Sequence, residues 1–225
     1  MAKIAIMGFG TVGAGVAEVA RMNRDVIASR LGEEVYVKYI LDVRDFADSP
    51  YADRMIKDFS IIENDPEVEV VVESIGGAKV ALDFTRRALL AGKHVVTSNK
   101  ELVATHGREL LEIAREKNVN YLFEASVGGG IPVLRPLFQC LAGNEIEEIY
   151  GILNGTTNYI LTRMVKGGIS FADALKEAQA KGYAERDPSA DVEGIDAGRK
   201  ICILSDLAWG KEGSPAEISI EGISS

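Results

Sequence analysis

The chain has 225 residues, 47% of them apolar, and a formal net charge of −9 from 25 lysines and arginines against 34 aspartates and glutamates. A chain of this size buries roughly 70% of its unfolded surface, enough for one sizeable core or two small ones, and its negative charge argues against a nucleic-acid backbone or an anionic membrane as partner. Cys140 and Cys202 form no C-x-x-C pair and give no metal-ligand spacing with His94 and His106, so both read as packed thiols of a reducing compartment.

Met1 leads straight into "AKIAIMG", without a charged leader, an apolar stretch of signal length or a cleavage site, and no apolar run reaches membrane-spanning length. A cytoplasmic protein is expected. In chain order, Lys3 to Met7, Val35 to Leu41, Val68 to Glu73, His94 to Thr97 and Asn120 to Phe123 read as strands. Between them lie apolar residues at helical spacing, such as Ala81, Phe84, Ala88 and Leu89, or Leu102, Leu110, Ile113 and Ala114. This alternation predicts an α/β fold, a Rossmann-like doubly wound parallel sheet with helices on both faces. After Pro132 the pattern changes to a helix reaching about Leu141, a strand near Ile146 to Ile152, and helical runs from Thr157, Phe171 and Pro188. Ser170 with Asp173 three residues on, and Asp187 before Pro188, read as helix starts. The expected division is a dinucleotide-binding domain over 1–135 and an α+β domain over 136–225.

"MGFGTVGAGV" places Gly8, Gly10 and Gly13 as G-x-G-x-x-G directly after the first strand. Gly8 permits a tight turn, Gly10 lets the backbone approach a pyrophosphate, and Gly13 lets the helix pack on the sheet. Gly8, Phe9, Gly10, Thr11, Val12 and Gly13 are therefore the expected cofactor-binding turn, with the pyrophosphate at the helix N-terminus. Strand two ends in "LDVRD", where Asp42 argues for NAD and Arg44 for NADP, and the choice stays open. "ESIGG", with Ser74 and Gly76, and "TSNK", with Ser98 and Lys100, fall at the carboxyl ends of strands, the edge where such sheets bind ligands. From position alone Lys100 is either a surface lysine or a group facing the nicotinamide.

"GYAERDPSADVEGIDAGRK" concentrates Glu185, Asp187, Asp191, Glu193 and Asp196 before Lys200. A helix from Pro188 would put Val192, Asp196, Lys200, Ile203, Leu204 and Leu207 on one face. The pair is then either an exposed i,i+4 contact worth roughly 0.2–0.5 kcal/mol or part of a packed site. Gly194 and Gly198 favour the second, because glycine within a helix costs about 1 kcal/mol relative to alanine and calls for some close approach.

At this stretch the chain resembles the homoserine dehydrogenases. The family pattern A-x-x-x-G followed by D-P-x-x-D-V-x-G-x-D-x-x-x-K is met from Ala178 and Gly182 through Asp187, Pro188, Asp191, Gly194, Asp196 and Lys200. "GFGTVG", "EASVGGGIP" (Glu124 to Pro132) and "NGTTNYILT" (Asn154 to Thr162) fit as well, so the likeness covers essentially the whole chain. The resemblance implies NAD(P)-dependent interconversion of L-homoserine and L-aspartate 4-semialdehyde in the biosynthesis of threonine, methionine and isoleucine. It implies Lys200 as general acid/base, Lys100 as a second lysine beside the reacting centre, Glu185 and Asp196 as substrate ligands and Asp191 in support. It also implies a monovalent cation, sodium, on Glu124 and the carbonyls of Val127, Gly129 and Ile131, and a homodimer formed through a substrate-binding and dimerisation domain. Family members continue for about another hundred residues, so that domain is expected to be incomplete here. The expectations left standing are an active dehydrogenase, a nicotinamide-binding fragment that folds and dimerises without turnover, and, more remotely, another oxidoreductase on the same scaffold.

Overall fold

The computed structural model describes residues 1–210 and 213–224. Its contacts divide the chain into two compact units, Met1–Ile131 and Pro132–Ser225.

In the first unit, strands β1 (Ala2–Met7), β2 (Val35–Leu41), β3 (Met55–Ile56), β4 (Val68–Glu73), β5 (His94–Thr97) and β6 (Tyr121–Leu122) form one sheet in the order β3-β2-β1-β4-β5-β6. Every pairing is parallel. Helices α1 (Thr11–Met22), α2 (Arg24–Leu31), α3 (Ser60–Glu63), α4 (Lys79–Leu90) and α5 (Lys100–Glu116) make the connections, and α6 (Ala125–Gly128) follows β6. The order reverses between β1 and β4, so the loops after these strands open a crevice at the carboxyl edge. Apolar side chains with no water contact stabilise this sheet: Ala5, Ile6, Met7, Ile40 and Val71 are fully buried. The helices bury the faces their spacing predicts, Ala81, Thr85, Ala88 and Leu89 on α4 and Leu102, Val103, Leu110 and Ala114 on α5. The strands over 35–41, 68–73 and 94–97 match expectation, whereas the two-residue edge strand β3 has no sequence pattern long enough to betray it.

The second unit is helical among its described residues. A wide π-type turn spans Pro136–Cys140, followed by α7 (Gly155–Gly167), α8 (Phe171–Ala180), α9 (Ser189–Val192) and α10 (Ile195–Trp209). The Leu141 N–H reaches back five residues to the Pro136 carbonyl at 3.1 Å, which makes a widened turn where a plain helix to Leu141 was expected. Ile160, Ala174, Ala178, Ala184 and Val192 form the core beneath α7 and α8. Ser170 caps α8 as expected, its hydroxyl accepting the Asp173 N–H.

Two expectations fail here. Ile146 to Ile152 forms no strand, because a strand exists only against a partner, and the described residues of this unit contain none; the Ile146 carbonyl instead accepts the Trp209 indole N–H at 2.7 Å. The helix from Pro188 is also not continuous. It stops at Val192 and restarts after Gly194, whose left-handed φ of +79° makes it the cap of α10 rather than an interior residue. The close approach expected of the glycines is present, since a Cβ on Gly198 would lie 2.6 Å from Ile220 Cδ1. No helix among the described residues is long and apolar enough to cross a membrane.

Candidate functional site

In the first unit, parallel strands deliver four loops to one edge: the glycine turn after β1, Asp42 to Asp45 after β2, Ser74 to Gly77 after β4, and Ser98 to Lys100 after β5. Gly8 has φ +90°, and a Cβ on Gly13 would lie 1.9 Å from the Gly8 carbonyl oxygen, so these two glycines are required by the turn itself. Gly10 is different. Its φ of −80° is ordinary and nothing but the tip of Arg44, at 3.9 Å, would meet a Cβ there. Gly10 caps α1 without any side-chain hydrogen bond, and the first helical bond runs from the Ala14 N–H to the Gly10 carbonyl. The N–H groups of Thr11, Val12 and Gly13 therefore have no acceptor within the helix, an arrangement that favours an anion. Thr11 and Val12 are exposed beside it.

Asp42 is neither a solvated charge nor an open ribose acceptor. Its side chain is 6% exposed, Oδ2 accepts the Phe9 N–H at 2.7 Å, and Arg44 reaches both oxygens, through Nε at 3.0 Å and Nη2 at 2.9 Å. The Arg44 hydrogen bonds, reinforced by the two N–H donors, hold the Asp42 carboxyl well below the usual carboxylate range. The acid thus closes the turn, while the Arg44 side chain stays 58% exposed over the Phe46 ring. Lys57, which no motif singled out, braces this loop by donating to the Val43 and Arg44 carbonyls and pairing with Asp45. Two expected cofactor residues are engaged within the protein itself. The Phe9 ring packs edge-on against Phe46 and Tyr51 in the core, and its N–H is taken by Asp42. The Ser74 hydroxyl is likewise engaged, donating to the Gly8 carbonyl at 2.8 Å with the Met7 carbonyl at 3.0 Å. Gly76 is exposed, and Ser98 and Lys100 are half-buried at the entry to α5. A cation in the first helical turn opposes the helix dipole, so helix stability does not explain Lys100 at this position.

Glu124 precedes α6, and Gly129, with φ +60° and ψ −114°, ends its single turn. The Gly128 carbonyl accepts the Ile131 N–H at 3.0 Å, whereas among the described residues no backbone N–H falls on the carbonyls of Val127, Gly129 or Ile131. No group of three or more His, Cys, Asp or Glu side chains suited to a metal occurs among the described residues.

In the second unit, Asp196 and Lys200 on α10 form a pair at 2.8 Å with side-chain exposures of 2% and 13%. This is not a surface contact. Lys200 Nζ also donates to the Leu153 carbonyl at 2.6 Å, and Asn154 Nδ2 donates both to Asp196 Oδ2 at 3.0 Å and to Asp191 Oδ1 at 2.7 Å. Asn154 Oδ1 meanwhile caps α7, accepting the Thr157 N–H at 2.8 Å. One asparagine therefore fixes a helix start and holds two carboxylates that would otherwise repel. It carries no charge, which is why reading for acids and bases missed it; its place at the head of "NGTTNYILT" was the available signal. Glu185 is not gathered into the cluster: its side chain is exposed, and its carbonyl accepts the Gln179 side chain at 3.1 Å. Glu193 is exposed and accepts the Ser224 hydroxyl. Asn154→Ala is expected to destabilise the unit by about 2–4 kcal/mol, combining a lost cap with the loss of a donor to two acids, as read by urea denaturation.

The family model described as "Homoserine dehydrogenase, NAD binding domain" matches residues 8–124, and the one described as "Homoserine dehydrogenase" matches residues 132–225. A homoserine dehydrogenase of Neisseria gonorrhoeae is 44% identical over 99% of this chain and 52% of its own length, and one of Bacillus subtilis is 41% identical over the same shares. The crystal structure of a homoserine dehydrogenase from Thiobacillus denitrificans superposes with a TM-score of 0.92 at 42% identity, covering 99% of this chain and 52% of that one. A hyperthermophilic archaeal homoserine dehydrogenase in complex with NADPH superposes with a TM-score of 0.80 at 30% identity, covering 93% and 70%. The chain spans about half the length of the curated relatives it matches. With both family models aligned along it, the chain belongs to the homoserine dehydrogenase family.

Proposed function

We propose that this chain carries the NAD(P)-dependent interconversion of L-homoserine and L-aspartate 4-semialdehyde. The observation that supports it most directly is the buried Asp196–Lys200 pair with its donors and acceptors in place. Two of the three Lys200 ammonium protons are engaged, by Asp196 and by the Leu153 carbonyl, which aims the third. In reduction Lys200 gives this proton to the aldehyde oxygen as hydride reaches the carbonyl carbon, and in oxidation Lys200 in its neutral amine form takes the hydroxyl proton as hydride leaves the carbon that bears the hydroxyl. A bound nicotinamide supplies the hydride acceptor and donor. Asp196 orients the lysine and carries negative charge that suits a substrate ammonium group, Asp191 supports it through Asn154, and the exposed Glu185 is a second carboxylate for the same ammonium. Lys100 holds a substrate carbonyl or carboxylate. The exposed N–H groups at the start of α1 suit a pyrophosphate, and the glycine at position 10 leaves room for it.

Arg44 is the group that would meet a 2′-phosphate, since Asp42 is already engaged. Arg44→Ala is expected to weaken NADP binding by about tenfold or more, in keeping with a hydrogen bond to a charged group, while NAD binding changes little. Equal losses in a titration of both cofactors would make Arg44 a bystander. For a cation, the carbonyls of Val127, Gly129 and Ile131 and the Glu124 carboxylate are all hard oxygen donors, which fit sodium. The family resemblance supports a homodimer. The activity itself is tested by the homoserine-dependent absorbance change of NAD and NADP at alkaline pH, on this chain and on a longer one. Absence of signal from both would remove the dehydrogenase reading.

A further inference from the structure

Glu73 is the last residue of β4, and its register partner on β5 is Thr97. It is a carboxylate with no solvent exposure at all. Oε1 accepts the Ile75 N–H at 2.6 Å and Oε2 accepts the Thr97 hydroxyl. Thr97 Oγ1 in turn accepts the Asn99 N–H at 2.9 Å. Asn99 closes the ring by donating to the Ile75 carbonyl at 3.1 Å and the Gly77 carbonyl at 2.8 Å, while its Oδ1 caps α5 through the Leu102 N–H at 3.1 Å. Both polar groups of the Ile75 peptide are thus taken by side chains, the N–H by Glu73 and the carbonyl by Asn99. Burial raises the Glu73 pKa, opposed by hydrogen bonds from the Thr97 hydroxyl, the Ile75 N–H and the Asn99 side chain, donors that only the ionised form accepts fully. A buried carboxylate is costly unless it is hydrogen-bonded, and a loop on the surface does not by itself call for one.

We propose that Glu73 is a positioning residue for the nicotinamide half of the cofactor. Its carboxylate, with Thr97 and Asn99, clamps the Ser74–Gly77 loop to the entry of α5, so that Gly76, Ser98 and Lys100 are presented with fixed geometry. The inference rests on the cofactor reading above. It goes beyond it in assigning the work to residues that need not touch the cofactor. Fixing a loop in its binding conformation before the ligand arrives removes an ordering cost, which appears as affinity.

The test uses two probes on the whole chain: NADPH, and adenosine 2′,5′-bisphosphate, which lacks the nicotinamide half. Glu73→Gln puts an amide donor where the ring needs an acceptor, and Thr97→Val removes the hydroxyl. Each is expected to weaken NADPH by about tenfold while leaving the bisphosphate nearly unchanged, and Thr97→Ser, which keeps the hydroxyl, is expected to restore NADPH affinity. Thermal melts alongside identify the folded variants, and Thr97→Val carries the test if Glu73→Gln does not fold. Wild-type NADPH affinity in both folded variants, or equal losses for both probes, would overturn the positioning role alone. Failure of the unaltered chain to bind either probe would overturn the cofactor reading with it.

Discussion

Lys200→Ala is expected to lower kcat by about 100-fold or more with nicotinamide affinity nearly unchanged, as for removal of a positioned general acid/base. The environment of the residue sets how this must be measured. Asp196 is almost fully buried, so removing Lys200 leaves its carboxylate without the paired cation, and breaking a buried pair costs about 3–5 kcal/mol. Loss of activity by unfolding has to be separated from loss of a proton carrier. Lys200→Ala combined with Asp196→Asn removes the stranded charge; stability is expected to recover in denaturant titrations while turnover does not. Glu185→Gln, on the exposed loop, is expected to act chiefly on KM for homoserine, because an ammonium contact is made in the ground state and the transition state alike. These measurements belong on a version of the chain that turns over. Near-normal kcat in a folded Lys200→Ala variant would reject Lys200 and send the search for the proton carrier to Lys100.

The sheet was legible in the sequence because its strands read as short runs rich in β-branched residues, set between helical patterns and glycine-bearing turns. Residues 35–41, 68–73 and 94–97 needed nothing else. The misreadings share one cause, dependence on a partner that local pattern does not contain. Ile146 to Ile152 has the composition of a strand but no strand to pair with among the described residues of its unit. Gly194 looks like a costly helical residue until its positive φ shows it to be a cap. Asp42 and Arg44 read as rival cofactor determinants, and only the fold shows that one is bound to the other. In the second unit the acids and the lysine were visible as charges at fixed spacing, whereas Asn154, which organises them from 42 residues before Asp196, was not. Glu73 was visible only as the end of a strand, since its meaning lies in Thr97, which ends the neighbouring strand, and in Asn99 just after it.

Gly10 and Gly13 of the first turn are expected to separate sharply on substitution, in keeping with the different roles the motif gives them. A methyl group on Gly13 would have to occupy space 1.9 Å from the Gly8 carbonyl oxygen and 2.8 Å from the Ser74 hydroxyl oxygen. Neither neighbour can give way freely, since the carbonyl is backbone at the end of β1 and the hydroxyl is tied to it. Gly13→Ala is therefore expected to destabilise the first unit by about 3 kcal/mol, the cost of overpacking where strand and helix meet, and to lower cofactor affinity only as a consequence. Gly10→Val is expected to do the reverse. Its backbone angles suit any residue and its Cβ meets no protein atom closer than 3.9 Å, so stability should fall by no more than about 1 kcal/mol, the ordinary cost of a poor cap residue. The branched side chain would instead project into the space beside the free N–H groups of α1, and NADP affinity is expected to drop at least about tenfold. Melting curves and cofactor titrations on the two variants decide the matter together. A Gly10→Val protein that melts normally and still binds NADP as tightly as the parent would place the pyrophosphate elsewhere, and a Gly13→Ala protein that melts normally would mean that the strand and helix do not meet as closely as the turn requires.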